Sequence, residues 1–365
     1  MEPVDYSLRY QFKYKDTPIF DLEYTNSGFQ ISYVYLLNSP LQPLGLRGVD
    51  INAWLRLRTA PYHRGYLSSL LGTNYTLKDY VDLTKALSLQ DNYWIVPYKS
   101  KLLYSDYSLF LNNFNSVVSD ASLGISTLTT AIPHVSSPEL STDGVLPKAW
   151  RRVGNNIYLY KRGSPYDAGL QPYSEVWVSQ IAEVLGFNHL SYWLEDYKGY
   201  LCSVCKCFTS LEESFVPFGL LVSSLEMLPL EVYKWFQKNI SWLAEEYIKL
   251  QILVYLVRNY DCHLFNFGFL TKNNRISSFI SYDYGAAFFS DRSDYELIGN
   301  GSLFDDDFSV FDSDLAVLPF IRGKYKEDIK RLIGFTLSPL AGVSRERVDY
   351  LNQFLSYRVS QLLKF

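Results

Sequence analysis

The chain has 365 residues, of which 48% are hydrophobic and 20% are charged, and its formal net charge is -4. This balance is typical of a globular protein and excludes a disordered or fibrous chain. The small negative charge provides no global cationic surface, so we expect no direct contact with nucleic acid or membrane. The longest apolar run, at 248–257, is shorter than the roughly 20 residues of a membrane span. The N-terminus also lacks the pattern of a secretory signal, so we expect a cytoplasmic protein.

Three of the four cysteines, Cys202, Cys205 and Cys207, fall in one strand-like segment. A structural zinc site usually takes four ligands in two closely spaced pairs, and the sequence offers no second pair. We therefore expect reduced structural thiols, with a zinc site as the alternative.

The N-terminal part, residues 1–115, predicts mixed structure. Apolar and polar residues alternate in YSLRYQFKYK and GFQISYVYLL, as in half-buried strands. The segments INAWLRLRTAPYHRGYLSSLLG and LKDYVDLTKAL indicate helices, and DNYWIVPY indicates another strand. No motif in this part points to a chemistry, so we interpret it as an accessory or regulatory unit.

Residues 116–210 predict the order strand, strand, helix, strand, strand. A border is indicated by the Ser-, Thr- and Pro-rich segment 116–147. KAWRRV and IYLYKRG surround the turn GNN, which is typical of a hairpin. SEVWVSQIAEVLGF predicts a helix with Ser174 as N-cap and Gly186 at its end. HLSYWLED and GYLCSVCKCF predict two further strands, joined at Lys198 and Gly199.

The rest of the chain, 211–365, predicts mainly helices. These are expected at EVYKWFQKN, AEEYIKLQILVYLVRN and ERVDYLNQFLSYRVSQLLKF, and the last carries an apolar stripe typical of a core-facing helix. The acidic run FDDDFSVFDSD is interpreted as a solvated loop, with a cation site as the alternative.

Two short segments carry residues suited to phosphoryl transfer, which needs magnesium, donors to the phosphates and a carboxylate at the attacking hydroxyl. Asp261 follows a long apolar helix and Asn266 comes five positions later. Asp283 stands in FISYDYG, at the end of an apolar strand-like run. Carboxylate and amide oxygens are ligands suited to magnesium, so Asn266 and Asp283 are the candidate metal ligands. Asp261 is then the candidate acid/base.

These segments resemble kinases of the HipA family, within the protein-kinase and phosphatidylinositol-kinase-like superfamily. DCHLFN resembles the D-R-H-x-x-N catalytic loop, which implies a catalytic role for Asp261 and a supporting role for His263. The same resemblance makes Asn266 a metal ligand. DYG resembles the metal-binding D-x-G, which implies that Asp283 binds magnesium.

Upstream, STDGVLPKAW is similar to the phosphate loop of this family. The resemblance implies ATP-binding roles for four residues: Ser141, Thr142, Gly144 and Lys148. Lys161, in IYLYKRG, corresponds to the lysine that contacts the nucleotide phosphates, and Glu175 is its implied ion-pair partner.

The sequence departs from the family pattern at two positions. Cys262 replaces the usual Arg of D-R-H, which removes a cation. Asp143 adjoins Gly144, and an acid near phosphate is unfavourable unless it points away. In the family the serine of the phosphate loop can be autophosphorylated. At its counterpart Ser141, a phosphate would add a charge of about -1.5 to -2.

The resemblance therefore implies an α+β, two-lobed, protein-kinase-like fold. Its parts are the accessory unit (1–115), a β-rich small lobe (116–210) and a helical large lobe (211–365). The implied activity is ATP- and magnesium-dependent phosphorylation of Ser or Thr in a protein, such as a translation factor. The implied biology is that of a toxin, with an antitoxin or regulatory partner at the N-terminal unit. Two alternatives stay open: a phosphatidylinositol-type lipid kinase, and a catalytically silent kinase-fold binding module.

Overall fold

The computed structural model describes residues 8–35, 41–46, 50–60, 70, 74–127, 137–299 and 321–364. The acidic run FDDDFSVFDSD and most of the second half of INAWLRLRTAPYHRGYLSSLLG lie outside these ranges. The chain forms two compact units. The first comprises Met1–Lys161, Lys206–Ser223 and Phe269–Ser277, and the second Arg162–Cys205, Ser224–Gly268 and Ser278–Phe365. The functional division at residues 115 and 210 stays a prediction.

Strands dominate the first half of the described chain. Their bounds are β1 Arg9–Tyr14, β2 Thr17–Thr25, β3 Gly28–Val34, β4 Tyr93–Pro97, β5 Lys148–Val153, β6 Asn156–Arg162, β7 Tyr192–Tyr197, β8 Tyr200–Lys206, β9 Glu213–Pro217, β10 Phe267–Lys272 and β11 Arg275–Ser281.

The helices range from the 4 residues of α3 to the 20 residues of α10. Their bounds are α1 Ile51–Arg56, α2 Leu77–Thr84, α3 Tyr104–Tyr107, α4 Ser116–Ser122, α5 Gln171–Leu185, α6 Pro229–Asn239, α7 Ala244–Val257, α8 Asp294–Gly299, α9 Lys326–Lys330 and α10 Arg345–Lys364.

The N-terminal sheet has the antiparallel order β3-β2-β1-β4. Phe12 on the central strand β1 pairs with Phe20 on β2 and Ile95 on β4. All three are buried, and Trp54 of α1 packs on Phe12 with ring centroids 5.3 Å apart. The apolar positions of the alternation thus form a face that α1 covers. The expectation of half-buried strands is wrong for β1 and β2, because Gln11, Lys13 and Asp21 on the other face are buried too.

The two predicted hairpins formed, and the first of them carries the candidate residues Lys148 and Lys161. β5 and β6 are antiparallel around the turn at Gly154. β7 and β8 are antiparallel around Lys198 and Gly199, which both have positive φ.

Helix α5 ends where the sequence predicts but begins earlier. Gly186 takes a left-handed φ of 69° at its C-cap. The prediction of Ser174 as N-cap is wrong, because the helix begins at Gln171 with Pro172 in its first turn. Proline is preorganised for that position, and Ser174 is instead buried, with its hydroxyl donating to the Ala287 carbonyl at 2.9 Å.

The C-terminal helix α10 buries the predicted apolar stripe. Its buried apolar members are Val348, Leu351, Phe354, Leu355, Val359 and Leu362. Across the ranges given above, no helix is both long enough and apolar enough to cross a membrane.

A buried ion pair joins two segments of the first unit. The Arg58 guanidinium makes two hydrogen bonds to Asp91 and a third to the Ala86 carbonyl at 3.1 Å. It also lies over the Trp54 ring, 4.0 Å from the centroid. Both ionic groups are less than a tenth exposed, so each depends on the other for its hydrogen bonds.

We expect Arg58→Ala to lower the free energy of unfolding by about 3–5 kcal/mol, because it leaves Asp91 buried without its cation. Urea denaturation followed by tryptophan fluorescence measures the change. The control is Lys78→Ala, which breaks the more exposed pair with Asp82 and should cost about 0–1 kcal/mol. Equal effects of the two substitutions would contradict the structural role of the buried pair.

Candidate active site

The segment DCHLFN begins directly after the buried helix α7. Arg258 caps the helix in the left-handed region with φ 52°, and the Asn259 amide donates to the Val254 carbonyl at 3.1 Å. The Arg258 guanidinium lies 4.5 Å from the Phe289 ring centroid. The chain therefore leaves the helix in a fixed direction at Arg258, just ahead of the motif.

Asn266 closes this loop onto Asp261. Its side-chain amide donates to the Asp261 carbonyl at 2.6 Å. Two backbone bonds reinforce the turn: His263 N–H to the Asp261 carbonyl at 3.1 Å, and Asn266 N–H to the His263 carbonyl at 2.9 Å. Asn266 is buried whereas Asp261 is exposed. The loop thus holds the amide rigidly and presents the carboxylic acid at the surface.

His263 supports the loop from its exposed side. Its Nδ1 accepts the backbone N–H of Phe265 at 3.2 Å. Because Nδ1 accepts, the neutral ring carries its proton on Nε2. This contact fits the supporting role that the sequence implies for His263.

A backbone hydrogen bond links the loop to the DYG turn. The Tyr282 N–H donates to the Asn266 carbonyl at 2.9 Å, and the Tyr282 hydroxyl donates to the Phe265 carbonyl at 2.7 Å. Asp283 follows Tyr282 directly and has a left-handed φ of 67°. One candidate metal ligand, Asn266, is therefore the acceptor of this bond, and the other, Asp283, directly follows its donor.

The segment after DYG is held by contacts that the sequence motifs do not reveal. Phe288 and Phe289 both have positive φ, and the Phe288 N–H donates to the carbonyl of Val257, the last residue of α7. Arg347 of α10 is buried and donates to the Phe289 carbonyl at 2.7 Å and to Asp294 at 2.9 Å. A residue some sixty positions away thus fixes this segment.

Glu175 is a buried carboxylate on α5. The Ser203 hydroxyl, on β8, donates to its Oε2. Tyr192, on the paired strand β7, is also buried, and its pKa lies well above the ordinary value because of burial and the charges of Cys205, Glu175 and Asp283. The sequence did not identify Ser203 and Tyr192 as neighbours of Glu175. Strand alternation indicates that such side chains are buried, but it does not show what they contact. The ion pair of Glu175 with Lys161 stays a prediction.

The candidate phosphate loop is folded back on itself in the first unit. The hydroxyls of Ser141 and Thr142 donate to the Pro138 carbonyl at 3.1 and 2.7 Å. Gly144 has a φ of 94°, and the Lys148 ammonium donates to the Asp143 carbonyl at 2.8 Å. The positive φ favours glycine at position 144, and a Cβ there would lie 2.2 Å from the Lys148 Nζ, so the lysine ammonium would have to shift.

The Asp143 carboxylate turns toward its own loop. It accepts the Gly144 N–H at 2.7 Å, and the residue is exposed. This contact shows how the loop accommodates an acid beside a glycine.

Lys148 and Lys161 are directly opposite each other in the β5–β6 hairpin. Opposite residues of an antiparallel pair share a face. Both are about 5% exposed. The hairpin thus concentrates two cationic side chains on one buried face.

Cys262, the departure from D-R-H, is a neutral thiol. Burial raises its pKa to about 12, and the charge of Asp261 adds to this shift. None of the four cysteines is in a disulfide. In the described part of the chain, no group of three or more His, Cys, Asp and Glu residues is arranged to hold a metal.

The structure thus brings Asp261, His263, Asn266 and Asp283 together in the second unit, which also holds Glu175. It brings the phosphate-loop residues and both lysines together in the first unit. The individual roles of these residues stay predictions.

No protein-family model matches the chain, and no curated protein matches it in sequence. Among solved structures it is similar to HipA of Shewanella oneidensis MR-1, in a toxin–antitoxin complex with HipB and operator DNA. The TM-score is 0.56 at 14% identity, over 98% of each chain. The chain has the HipA-like kinase fold, which confirms the predicted fold class.

A second similar structure is the proinflammatory kinase CtkA of Helicobacter pylori. That likeness has a TM-score of 0.47 at 18% identity, over 60% of this chain and 90% of CtkA.

We expect Asn266→Asp to open the loop, because a carboxylate oxygen would face the Asp261 carbonyl in place of an N–H donor. Amide hydrogen exchange of residues 261–266 should then become at least about tenfold faster, as for the loss of a hydrogen bond of roughly 1.4 kcal/mol.

The matched control is Asn188→Asp. It removes a similar bond, from the Asn188 amide to the Phe279 carbonyl at 3.0 Å, outside the loop. Exchange of 261–266 should not change in that variant. Unchanged exchange in Asn266→Asp would show that another interaction closes the loop.

Proposed function

We propose that the protein is an ATP- and magnesium-dependent kinase that transfers the γ-phosphate to Ser or Thr of a protein, including its own Ser141. The observation that carries this proposal is the Tyr282–Asn266 hydrogen bond, which couples the DCHLFN loop to the DYG turn. It joins Asn266 to the residue that directly precedes Asp283, in the same loop region as the exposed Asp261.

The donor chemistry at this coupled site fits magnesium. Because the Asn266 amide nitrogen is used by the Asp261 carbonyl, its Oδ1 is the atom suited to a cation. Asp283 supplies a carboxylate oxygen. Magnesium, when bound there, would neutralise charge on the ATP phosphates.

The hairpin lysines fit the polyanionic end of ATP. Two ammonium groups on one face of the hairpin could both bind oxygens of the ATP phosphates. Gly144 lets the loop backbone approach the phosphates closely.

Asp261 is the group that acts on the acceptor. As an exposed carboxylate it would accept the proton of a Ser or Thr hydroxyl while that oxygen bonds to the γ-phosphorus and the bond from the γ-phosphorus to the bridging oxygen breaks, which releases ADP. Ser141 is buried and bonded to Pro138, so its own phosphorylation requires the loop to open.

A partner protein at residues 1–115 belongs to the same proposal. Its support is the likeness to HipA, which was solved with HipB and operator DNA and matches this chain over 98% of its length. An antitoxin-like regulator of a toxin that modifies a translation factor is the corresponding biology. Because that complex contains DNA, the expectation of no nucleic-acid contact has no support from the comparison.

Labelled ATP and magnesium test the activity. We expect wild type to incorporate phosphate on Ser141, and Asp261→Asn to lower the rate by about 10²–10⁴-fold, the usual contribution of a positioned acid/base. Gel autoradiography and mass spectrometry of the 137–150 peptide measure both.

The control is Asp349→Asn, which changes an exposed aspartate of α10 and should keep the wild-type rate. Label found only in added phosphatidylinositol would favour a lipid kinase. ATP binding without any transfer would favour the silent binding module, and the absence of both would refute the kinase.

Gly144→Ala tests the phosphate loop. The added Cβ meets the Lys148 ammonium and strains a backbone at positive φ, so we expect ATP affinity to fall by at least about tenfold. Gly154→Ala is the matched control, since it has positive φ in the β5–β6 turn with no heavy atom within 4 Å of the added Cβ. Isothermal titration calorimetry with ATP should separate the two variants, and equal affinities would contradict the role of the loop.

A further inference from the structure

A fully buried carboxylate precedes the phosphate loop. Glu139 is 0% exposed and lies two residues before Ser141. It accepts hydrogen bonds from the Ser119 hydroxyl at 2.9 Å, from the Trp150 backbone N–H at 2.7 Å, and from the Ser137 hydroxyl. Burial of an ionisable group is costly unless its hydrogen bonds are satisfied, and here donors from α4 and β5 satisfy it.

Trp150 holds the same segment a second time. Its backbone N–H donates to Glu139, and its indole Nε1–H donates to the Thr142 hydroxyl oxygen at 2.8 Å. Thr142 in turn donates to the Pro138 carbonyl. One residue of β5 therefore holds positions 139 and 142, on either side of Ser141.

The same strand carries the lysine of the loop. Trp150 lies two positions after Lys148 and so shares its face of β5. Lys148 holds the loop at the Asp143 carbonyl. Three hydrogen bonds thus attach the segment 139–144 to β5, at Glu139, Thr142 and Asp143.

We propose that Glu139 and Trp150 are positioning residues that hold the phosphate loop in its nucleotide-binding shape. This inference rests on the proposed kinase function. Neither residue needs to touch the nucleotide, because each acts through the loop. A loop fixed before binding loses less conformational entropy when it binds, so the two residues contribute to ATP affinity more than to turnover.

The experiment compares Glu139→Ala, Glu139→Gln and Trp150→Phe in the full chain. Calorimetry gives the ATP dissociation constant with magnesium, and label transfer at saturating ATP gives the turnover rate. Glu139→Ala should weaken ATP binding by about tenfold, with turnover within about threefold of wild type. Trp150→Phe, which loses only the indole donor, should weaken binding by a few-fold.

Glu139→Gln should rescue most of the affinity. Its carboxamide oxygen can still accept from Trp150 and Ser119, and its N–H can donate to the Ser137 oxygen. A variant that is only destabilised would not combine weaker ATP binding with nearly unchanged turnover.

Asp21→Ala is the matched control. Asp21 is a buried carboxylate in the N-terminal sheet that accepts from Tyr35 at 2.8 Å and Gln11 at 3.3 Å. Its loss should lower stability but leave ATP affinity unchanged. If it weakens ATP binding as much as Glu139→Ala does, the positioning role is refuted.

The outcomes also separate this inference from the proposed function. Wild type that binds no ATP refutes the kinase itself. Wild type that binds ATP, together with Glu139→Ala that binds within twofold of it, overturns only the positioning role. Should Glu139→Ala fail to fold, Trp150→Phe and Ser119→Ala each remove one donor, and unchanged affinity in both overturns the proposal.

Discussion

The bond from the Asn266 amide to the Asp261 carbonyl is the constraint on which the candidate site depends. A loop between a buried helix and a buried strand must satisfy its backbone groups without a neighbouring strand to pair with. Asn266 does so with one end of its carboxamide, which leaves the other end as an oxygen donor. The residue that closes the loop is therefore the one suited to bind a cation, and an aspartate, which has no N–H, could not do both.

Backbone strain collects in the segment that this loop adjoins. Asp283, Phe288 and Phe289 are all non-glycine residues at positive φ, and each such position costs on the order of 1–3 kcal/mol. The segment keeps these conformations because its carbonyls and amides are bound from outside it, by Val257 at the end of α7 and by Arg347 of α10. The C-terminal helix thus supports the DYG turn as well as closing the core.

Local signals in the sequence were sufficient to predict most elements, whereas the roles of the motif residues stay predictions. The GNN turn predicted the β5–β6 hairpin, and Gly186 predicted the end of α5. The start of α5 was wrong because Pro172 competes with Ser174 as a start signal and the buried site favours the proline. Residues that support the site from a distance, such as Ser203 and Arg347, were not predictable, because alternation shows which side chains are buried but not which partners they meet. The N-terminal part matched no motif, yet the likeness to HipA extends over it, so that likeness lies in the fold and not in the sequence.

Cys262 stands where the family usually has arginine, and a thiol makes fewer demands on its surroundings than a guanidinium does. A buried guanidinium needs a paired charge and several acceptors, whereas a neutral thiol needs neither. Because burial raises the pKa of Cys262 to about 12, the position adds no charge beside Asp261 at neutral pH. The loop holds its shape through contacts that include those of Asn266 and His263, without a cation at position 262. In the proposed kinase, any positive charge beside the Asp261 carboxylate would therefore come from outside position 262, and bound magnesium would supply it.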